Sequence, residues 1–348
     1  MLTPKPQEAT ITRRKIFYPV GPRLSEYLTH YGRTVEMPSL YEDLRCFVDA
    51  YPLFDHDGKN TFWETVVYDH LTMKSLHRQL ASMYSLLKTG EAKALDHLYI
   101  SRVDFCEFGN SKPFRIRVVN QFNDNHDYFY VKVADASRIH GLEIEHVLSP
   151  NRIGYLVNSG SLIEEHIVGI PGDVFIQQYI DREDLNRVRL AKEFIKFNER
   201  CFIRLLGDMR SYNYVVDMTV DFDGMQFRVR AIDFDQQSYE GRKDIYLPQM
   251  FKENAHVVKL CTDRINYPTM QQYQREERSL IARRVKSARQ RLADLLRCMR
   301  EEPCSPPEKM EQLRQELSTL HDTGAFTHCH NMGDLVEAHI HFMLEVKG

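Results

Sequence analysis

The run YVVDMTVDFDGMQFRVRAIDFDQ, from Tyr214 to Gln236, constrains this chain more than any other segment. Two alternating apolar and polar stretches flank Asp223-Gly224, and Asp-Gly between alternating runs is a strong signal for a two-residue β-hairpin. With those two residues as the turn, Tyr214, Val216, Met218 and Val220 face Asp233, Ala231, Val229 and Phe227, while Asp217 meets Arg230. A slip of one residue would set the apolar positions against Gln226, Arg228 and Arg230, so the pattern selects the register. The open end of the hairpin then brings Asn213 beside Asp233 and Phe234. Asp208 lies one short loop away, in GDMRSYN.

The segments before the hairpin change period once. From about Arg23 to Gly90 the pattern is mostly helical: Leu40, Leu44, Phe47 and Val48 share one helix face, as do Leu76, Leu80, Met83 and Leu86, and Gly90 is a helix stop. HLYISRVDF, KPFRIRVV and DYFYVKVA are then β-branched and aromatic runs separated by turn-forming residues, which predicts three consecutive antiparallel strands. The short piece RIHGLEIEHVLSP follows, helical or irregular, and after it come two more strand-like runs, IGYLVN and SLIEEHIV. The turn-rich GIPGD leads into DREDLNRVRLAKEFIKFNERCFIRLL, a helix with a buried face for which Asp181 is the predicted cap. Beyond Asp244 the chain is helical again, broken at EEPCSPPEK.

Three oxygen-bearing side chains thus converge from distant positions. Hard cations such as Mg²⁺ take carboxylate and amide oxygens together with substrate phosphates, and a further carboxylate nearby orients an attacking hydroxyl. Asp208, Asn213 and Asp233 fit that division of labour.

Composition narrows the remaining classes. At 348 residues and 43% hydrophobic, the chain can bury one large core or two medium ones. A formal net charge of −3 argues against a surface built for nucleic acid. The cluster Arg283, Arg284, Lys286, Arg289 and Arg291 reads as the solvated face opposite the apolar stripe of Ile281, Val285, Leu292 and Leu295. Seven scattered cysteines without a CxxC pair suit reduced thiols, and no segment approaches the roughly 20 apolar residues that span a bilayer. These features predict a cytoplasmic protein with no membrane and no nucleic-acid partner.

On GDMRSYN and IDFD the chain resembles the protein-kinase-like superfamily, in particular its small-molecule branch typified by aminoglycoside and choline phosphotransferases. The resemblance spans about residues 97 to 245. It implies an α+β, bilobal protein-kinase-like fold, with a small antiparallel-sheet N-lobe, a helical C-lobe and extra helices at both termini. In this chain that divides 1–96 as a helical extension, 97–168 as the N-lobe, and 169–348 as the C-lobe with a C-terminal helical extension. The implied activity is ATP- and Mg²⁺-dependent phosphoryl transfer to a hydroxyl of a small molecule or a protein. By the same resemblance Asp208 is the general base, Asn213 and Asp233 are Mg²⁺ ligands, and Asp235 is a supporting carboxylate. Lys132, in YVKV on the third strand, corresponds to the lysine that holds ATP phosphates, with Glu145 or Glu143 of the following helix as its ion-pair partner. LIEEHIVG corresponds to the hinge, where the backbone of Glu165, His166 and Ile167 would read adenine. Only Gly109 stands where the family carries a glycine-rich loop, Leu206 replaces the usual histidine, and Tyr130 stands where a small residue normally leaves room for adenine. Those departures motivate a second reading, a pseudokinase-like scaffold that binds nucleotide or a partner and transfers nothing.

Overall fold

The computed structural model describes residues 15–55, 57–93, 95–222 and 224–345. Helix α1 (Pro22–His30) opens with Pro22 in its first turn, where a missing backbone N–H leaves no bond unmade, and it buries Leu24, Tyr27 and Leu28. The short helix α2 (Tyr41–Leu44) follows. Strands β1 (Asp49–Phe54) and β2 (Asn60–Val67) then pair antiparallel, where the sequence predicts helix. Phe47 and Val48, on the predicted helix face, lie beyond the end of α2, and Pro52 could not have sat inside a helix without breaking it. Helix α3 (His70–Thr89) is fixed at both ends. The Asp69 carboxylate accepts from the amides of Leu71 and Thr72, and Gly90, left-handed at φ 80°, closes it as predicted.

The next three strands, β3 (Leu98–Phe105), β4 (Phe114–Asn120) and β5 (His126–Val133), are consecutive and antiparallel, as the alternation predicts. Helix α4 (Ala136–Leu148) is capped by Asp135, which accepts from the Ser137 amide at 2.8 Å. Strands β6 (Tyr155–Asn158) and β7 (Ser161–Glu165) complete a seven-stranded sheet in the order β1-β2-β3-β4-β5-β7-β6. The N-terminal pair therefore extends the sheet instead of standing apart as helices.

Strand β8 (Ile170–Pro171) and helix α5 (Gly172–Gln178) lead to helix α6 (Arg187–Arg204). Asn186, not Asp181, caps α6 by accepting from the Arg189 amide. The four residues between the two lie outside any helix. Strands β9 (Tyr214–Asp221) and β10 (Gly224–Ala231) form the expected hairpin and join β8 in a three-stranded sheet. Its register differs from the expectation: Tyr214 pairs with Ala231, Val216 with Val229 and Met218 with Phe227. The observed ladder is displaced by two positions, which keeps every side chain on its predicted face. Alternation has a period of two, so it excludes the odd slip and leaves the even one open. Asp223, half of the predicted turn, lies outside the described residues.

Helices α7 (Ala255–Arg264), α8 (Tyr267–Ser287), α9 (Arg289–Glu301), α10 (Pro307–His321) and α11 (Met332–Leu344) close the chain. The molecule is thus α+β with antiparallel sheets. Two hydrophobic cores meet at the large sheet. Leu44, Leu76, Leu80 and Met83 from α2 and α3 pack on Phe114, Ile116, Phe129 and Val131 on one side. The other core joins α1, α4 and α6 to the three-stranded sheet and to α8 through α11. Among the described residues, no helix is long and apolar enough to cross a membrane.

Candidate functional site

A cleft of about 610 Å³ lies between the two sheets, and residues from both line it. Lys132 reaches it from near the end of β5, where alternation turns the side chain away from Val131 and Val133. It is almost fully buried, and its Nζ sits 2.7 Å from Glu164 Oε2 on the neighbouring β7. Burial, with Arg138 adding to it, pushes the ammonium below its ordinary value, and the Glu164 charge opposes both.

Arg138, in the first turn of α4, is the centre of this charge network and is 2% exposed. Its Nε donates to Glu164 Oε1 and its Nη2 to Glu164 Oε2 at 2.7 Å. Nη1 donates to Asp233 Oδ1 at 3.0 Å and to Asp235 Oδ1 at 2.8 Å, and Nη2 also reaches the Ile232 carbonyl at 3.4 Å. Burial opposes the Glu164 charge, but Arg138 and Lys132 together hold its carboxyl down to about 2. Asp235 is also held below its ordinary value, because Arg138, Lys15 and Lys132 outweigh the cost of burying it. Asp233 moves the other way: burial and the adjacent Asp235 charge push its carboxyl up. The two differ in access, with side chains 34% exposed for Asp233 and 7% for Asp235.

The Asp208 loop closes the far wall. Gly207 is needed there, since a Cβ would stand 2.9 Å from the Ile245 side chain and 3.0 Å from the Gln236 carbonyl. Asp208 itself is left-handed at φ 59°, a conformation that Asp tolerates better than most residues. Its amide donates to the Ile245 carbonyl, and its own carbonyl accepts from the Arg210 amide at 2.8 Å and from Asn213 Nδ2 at 2.7 Å. The Asn213 amide nitrogen is thereby committed, which turns its Oδ1 away from that bond. The Asp208 carboxylate takes Arg210 Nε at 2.8 Å, and Arg210 in turn pairs with Glu253. Burial pushes the Asp208 carboxyl up despite Arg210. Asn213 ends a short 3₁₀ turn directly before β9, and its carbonyl accepts the Ile232 amide at 3.0 Å, so the hairpin ladder extends up to the cleft.

Lys132, Asp208, Asn213 and Asp233 therefore line one cleft, together with Glu165, His166 and Ile167. Two assignments are corrected. Neither glutamate of α4 meets Lys132. Glu143 accepts from the Tyr27 and Tyr155 hydroxyls and from Arg33 and Arg291. Glu145 pairs with Arg204 at the end of α6. Glu145 lies two helical turns past Arg138, about 10 Å farther along α4, which carries it beyond the lysine. In the hinge, the Glu165 amide donates to the Gly154 carbonyl at 2.9 Å and is not open to a ligand. The amides of His166 and Ile167 take no backbone partner among the described residues. The His166 ring meets the Tyr130 hydroxyl at 3.1 Å, and burial pushes its imidazole below the ordinary value.

Sequence reasoning missed Arg138, Glu164 and Trp63. No local pattern marks Arg138: α4 also carries His140, Glu143, Glu145 and His146, and only its burial on nearly every side in the fold requires its arginine to be paired. Trp63 reaches the cleft from β2, with the Arg115 guanidinium 4.4 Å from its ring centre, and no pattern near it predicts that contact.

Among the described residues, no three His, Cys, Asp or Glu side chains cluster as a self-sufficient metal site. A donor set of one carboxylate and one amide oxygen instead suits Mg²⁺, which completes its shell with water and phosphate oxygens. No protein-family model matches the chain, and no curated protein matches it in sequence.

Proposed function

We propose that the protein is an ATP- and Mg²⁺-dependent phosphotransferase of the protein-kinase-like fold, acting on a hydroxyl of a small molecule. The observation that carries this reading is the meeting of Lys132, Asp208, Asn213 and Asp233, from three separate segments, in a single cleft. In this reading the seven-stranded sheet with α4 is the smaller lobe, the hairpin sheet with the remaining helices is the larger one, and nucleotide lies between them. Residues 1–96 are an extension that adds β1 and β2 to the smaller lobe.

Each residue has a role its surroundings support. The Lys132 ammonium, oriented by Glu164, would contact the nucleotide phosphates. The open amides of His166 and Ile167 would face the base. Asn213 and Asp233 would hold Mg²⁺, which supplies charge neutralisation on the phosphate oxygens. Asp208 accepts the proton of the acceptor hydroxyl. Its raised affinity for protons, due to burial, suits a base better than an ordinary surface aspartate would. The Asn213 bond to its carbonyl and the Arg210 bond to its carboxylate fix its direction.

The test begins with ligand binding. ATP with Mg²⁺ at millimolar concentration is expected to raise the melting temperature, and a panel of hydroxylated metabolites is expected to include one that drives ADP release. Asp208→Asn should keep the thermal shift and lose transfer by roughly 10² to 10⁴-fold, the range for loss of a positioned base. No thermal shift and no ADP release would overturn the enzyme reading. A shift with no acceptor, and with Asp208→Asn indistinguishable from wild type, would favour the nucleotide-binding scaffold.

A further inference from the structure

The five N–H donors of a guanidinium form a fixed fork, and in Arg138 all of them are committed. Nε and one Nη2 hydrogen serve Glu164, the two Nη1 hydrogens serve Asp233 and Asp235, and the remaining Nη2 hydrogen points at the Ile232 carbonyl. Arg138 therefore has no hydrogen left for a phosphate. At 2% exposure it presents little surface to the cleft it lines. What it does have is a hold on three segments at once: α4, which carries it; β7, through Glu164; and the stretch after β10, through Asp233 and Asp235.

That hold is asymmetric at Asp233. Oδ1 accepts from Arg138 at 3.0 Å and from the Asp235 amide at 3.0 Å, while Oδ2 takes no hydrogen bond among the described residues. The side chain is one-third exposed, so the carboxylate is fixed by one oxygen and open at the other. Asp235 cannot share that role, because its side chain is nearly inaccessible. It serves instead to keep Nη1 in place at 2.8 Å.

We infer that Arg138 is a positioning residue for the metal site: it pins Asp233 through Oδ1 so that Oδ2 is presented to a divalent cation. By sharing Glu164 with Lys132, it also sets the lysine and the aspartate at a fixed separation across the cleft. The inference rests on the nucleotide reading of the cleft and adds to it a cation clamp built from α4, in the place where an acidic residue of that helix was expected to face Lys132. Without the guanidinium, the two carboxylates would lose their nearest positive partner, and Asp233 Oδ1 would be held by the Asp235 amide alone. Lysine at this position could supply the charge but not the fork.

The experiment is a calorimetric titration of ATP into the full chain, with and without Mn²⁺ as the metal probe. Wild type is expected to bind ATP more tightly with Mn²⁺. In Arg138→Gln the gain from Mn²⁺ should fall by roughly 10 to 100-fold, the range for residues that orient a metal ligand. Metal-free ATP binding should stay within about twofold, because Lys132 keeps Glu164. Arg138→Lys should fall between them. If Arg138→Gln does not fold, the double variant Arg138→Gln/Asp235→Asn removes the charge conflict. The inference requires that this variant still lose the Mn²⁺ gain, since Asp233 is then held by one backbone amide and no longer by the guanidinium. Wild-type response to Mn²⁺ in either folded variant would overturn the inference and leave the nucleotide reading standing. Absence of any ATP binding by wild type would overturn the nucleotide reading itself, and the clamp with it.

Discussion

Glu164 shows how one buried side chain sets the charge of a whole site. It is nearly inaccessible and bound by both Lys132 and Arg138, an arrangement that tolerates no missing partner. Removing one member of such a buried network costs about 3–5 kcal/mol, because the others stay buried uncompensated. Its carboxyl is held down to about 2 from an ordinary 4.5. The depressed value means that its charge stabilises the fold fully above the ordinary value, and that this contribution is lost as pH falls from about 4.5 towards 2. Glu164→Gln should therefore be destabilised most at neutral pH, with the gap to wild type closing through that acid window. Urea unfolding at several pH values measures it, and a gap that stays constant down to pH 3 would contradict the assignment. Residues of this kind are poorly legible in sequence. Asp208, Asn213 and Asp233 could be named because hairpin geometry brings them together, and Lys132 because the family resemblance points to a lysine on the third strand. Glu164 sits in LIEEHIVG beside an equally plausible Glu165, and only the partner on α4, 26 residues earlier, separates the two.

Elements were legible where a local signal fixes them and illegible where a tertiary neighbour does. The strands β3 to β5, the Gly90 stop and the hairpin follow from alternation and turn chemistry. The hairpin register did not, since a displacement by two leaves every face unchanged. Strands β1 and β2 were missed because one edge of an existing sheet recruits them, and their own alternation is short. Helix α4 is the element on which the site depends. Gly141 lets it approach the segment after β10: a Cβ there would lie 2.9 Å from the Phe234 Cβ and 3.1 Å from that of Gln237. Alanine in a helix interior would otherwise gain about 1 kcal/mol over glycine. Phe234 is fully buried and cannot retreat, so overpacking outweighs that gain. We expect Gly141→Ala to lower stability by about 1–2 kcal/mol. It should also weaken Mg²⁺-dependent nucleotide binding, because it moves α4 off the stretch carrying Asp233. A stabilised variant with unchanged binding would show that the approach is looser than the contacts imply.

At the scale of the molecule, the two cores meet on opposite faces of the large sheet. Leu162 and Ile163 are neighbours on β7, yet Leu162 packs into the core of α1, α4 and α6, and Ile163 into that of α2 and α3. Tyr41 adds a second tie, since its amide donates to Ser161 Oγ and its hydroxyl to the Lys112 carbonyl. The N-terminal third is therefore part of the sheet's foundation, which a boundary near residue 96 drawn from helical periodicity does not convey. A chain of this length often unfolds through intermediates, so cooperativity has to come from a shared structure. The seven-stranded sheet is that structure. The protein holds a single tryptophan, Trp63 on β2, while most of its helix lies beyond residue 186. Tryptophan emission and helical ellipticity thus report opposite ends of the chain. We expect their unfolding curves to coincide. Leu80→Ala, a truncation at a fully buried position of the α3 core, should cost about 2–5 kcal/mol and move both curves together. If emission shifted while ellipticity held its midpoint, residues 15–96 would be an independent unit laid against the sheet, and Trp63 would be a removable part of the cleft.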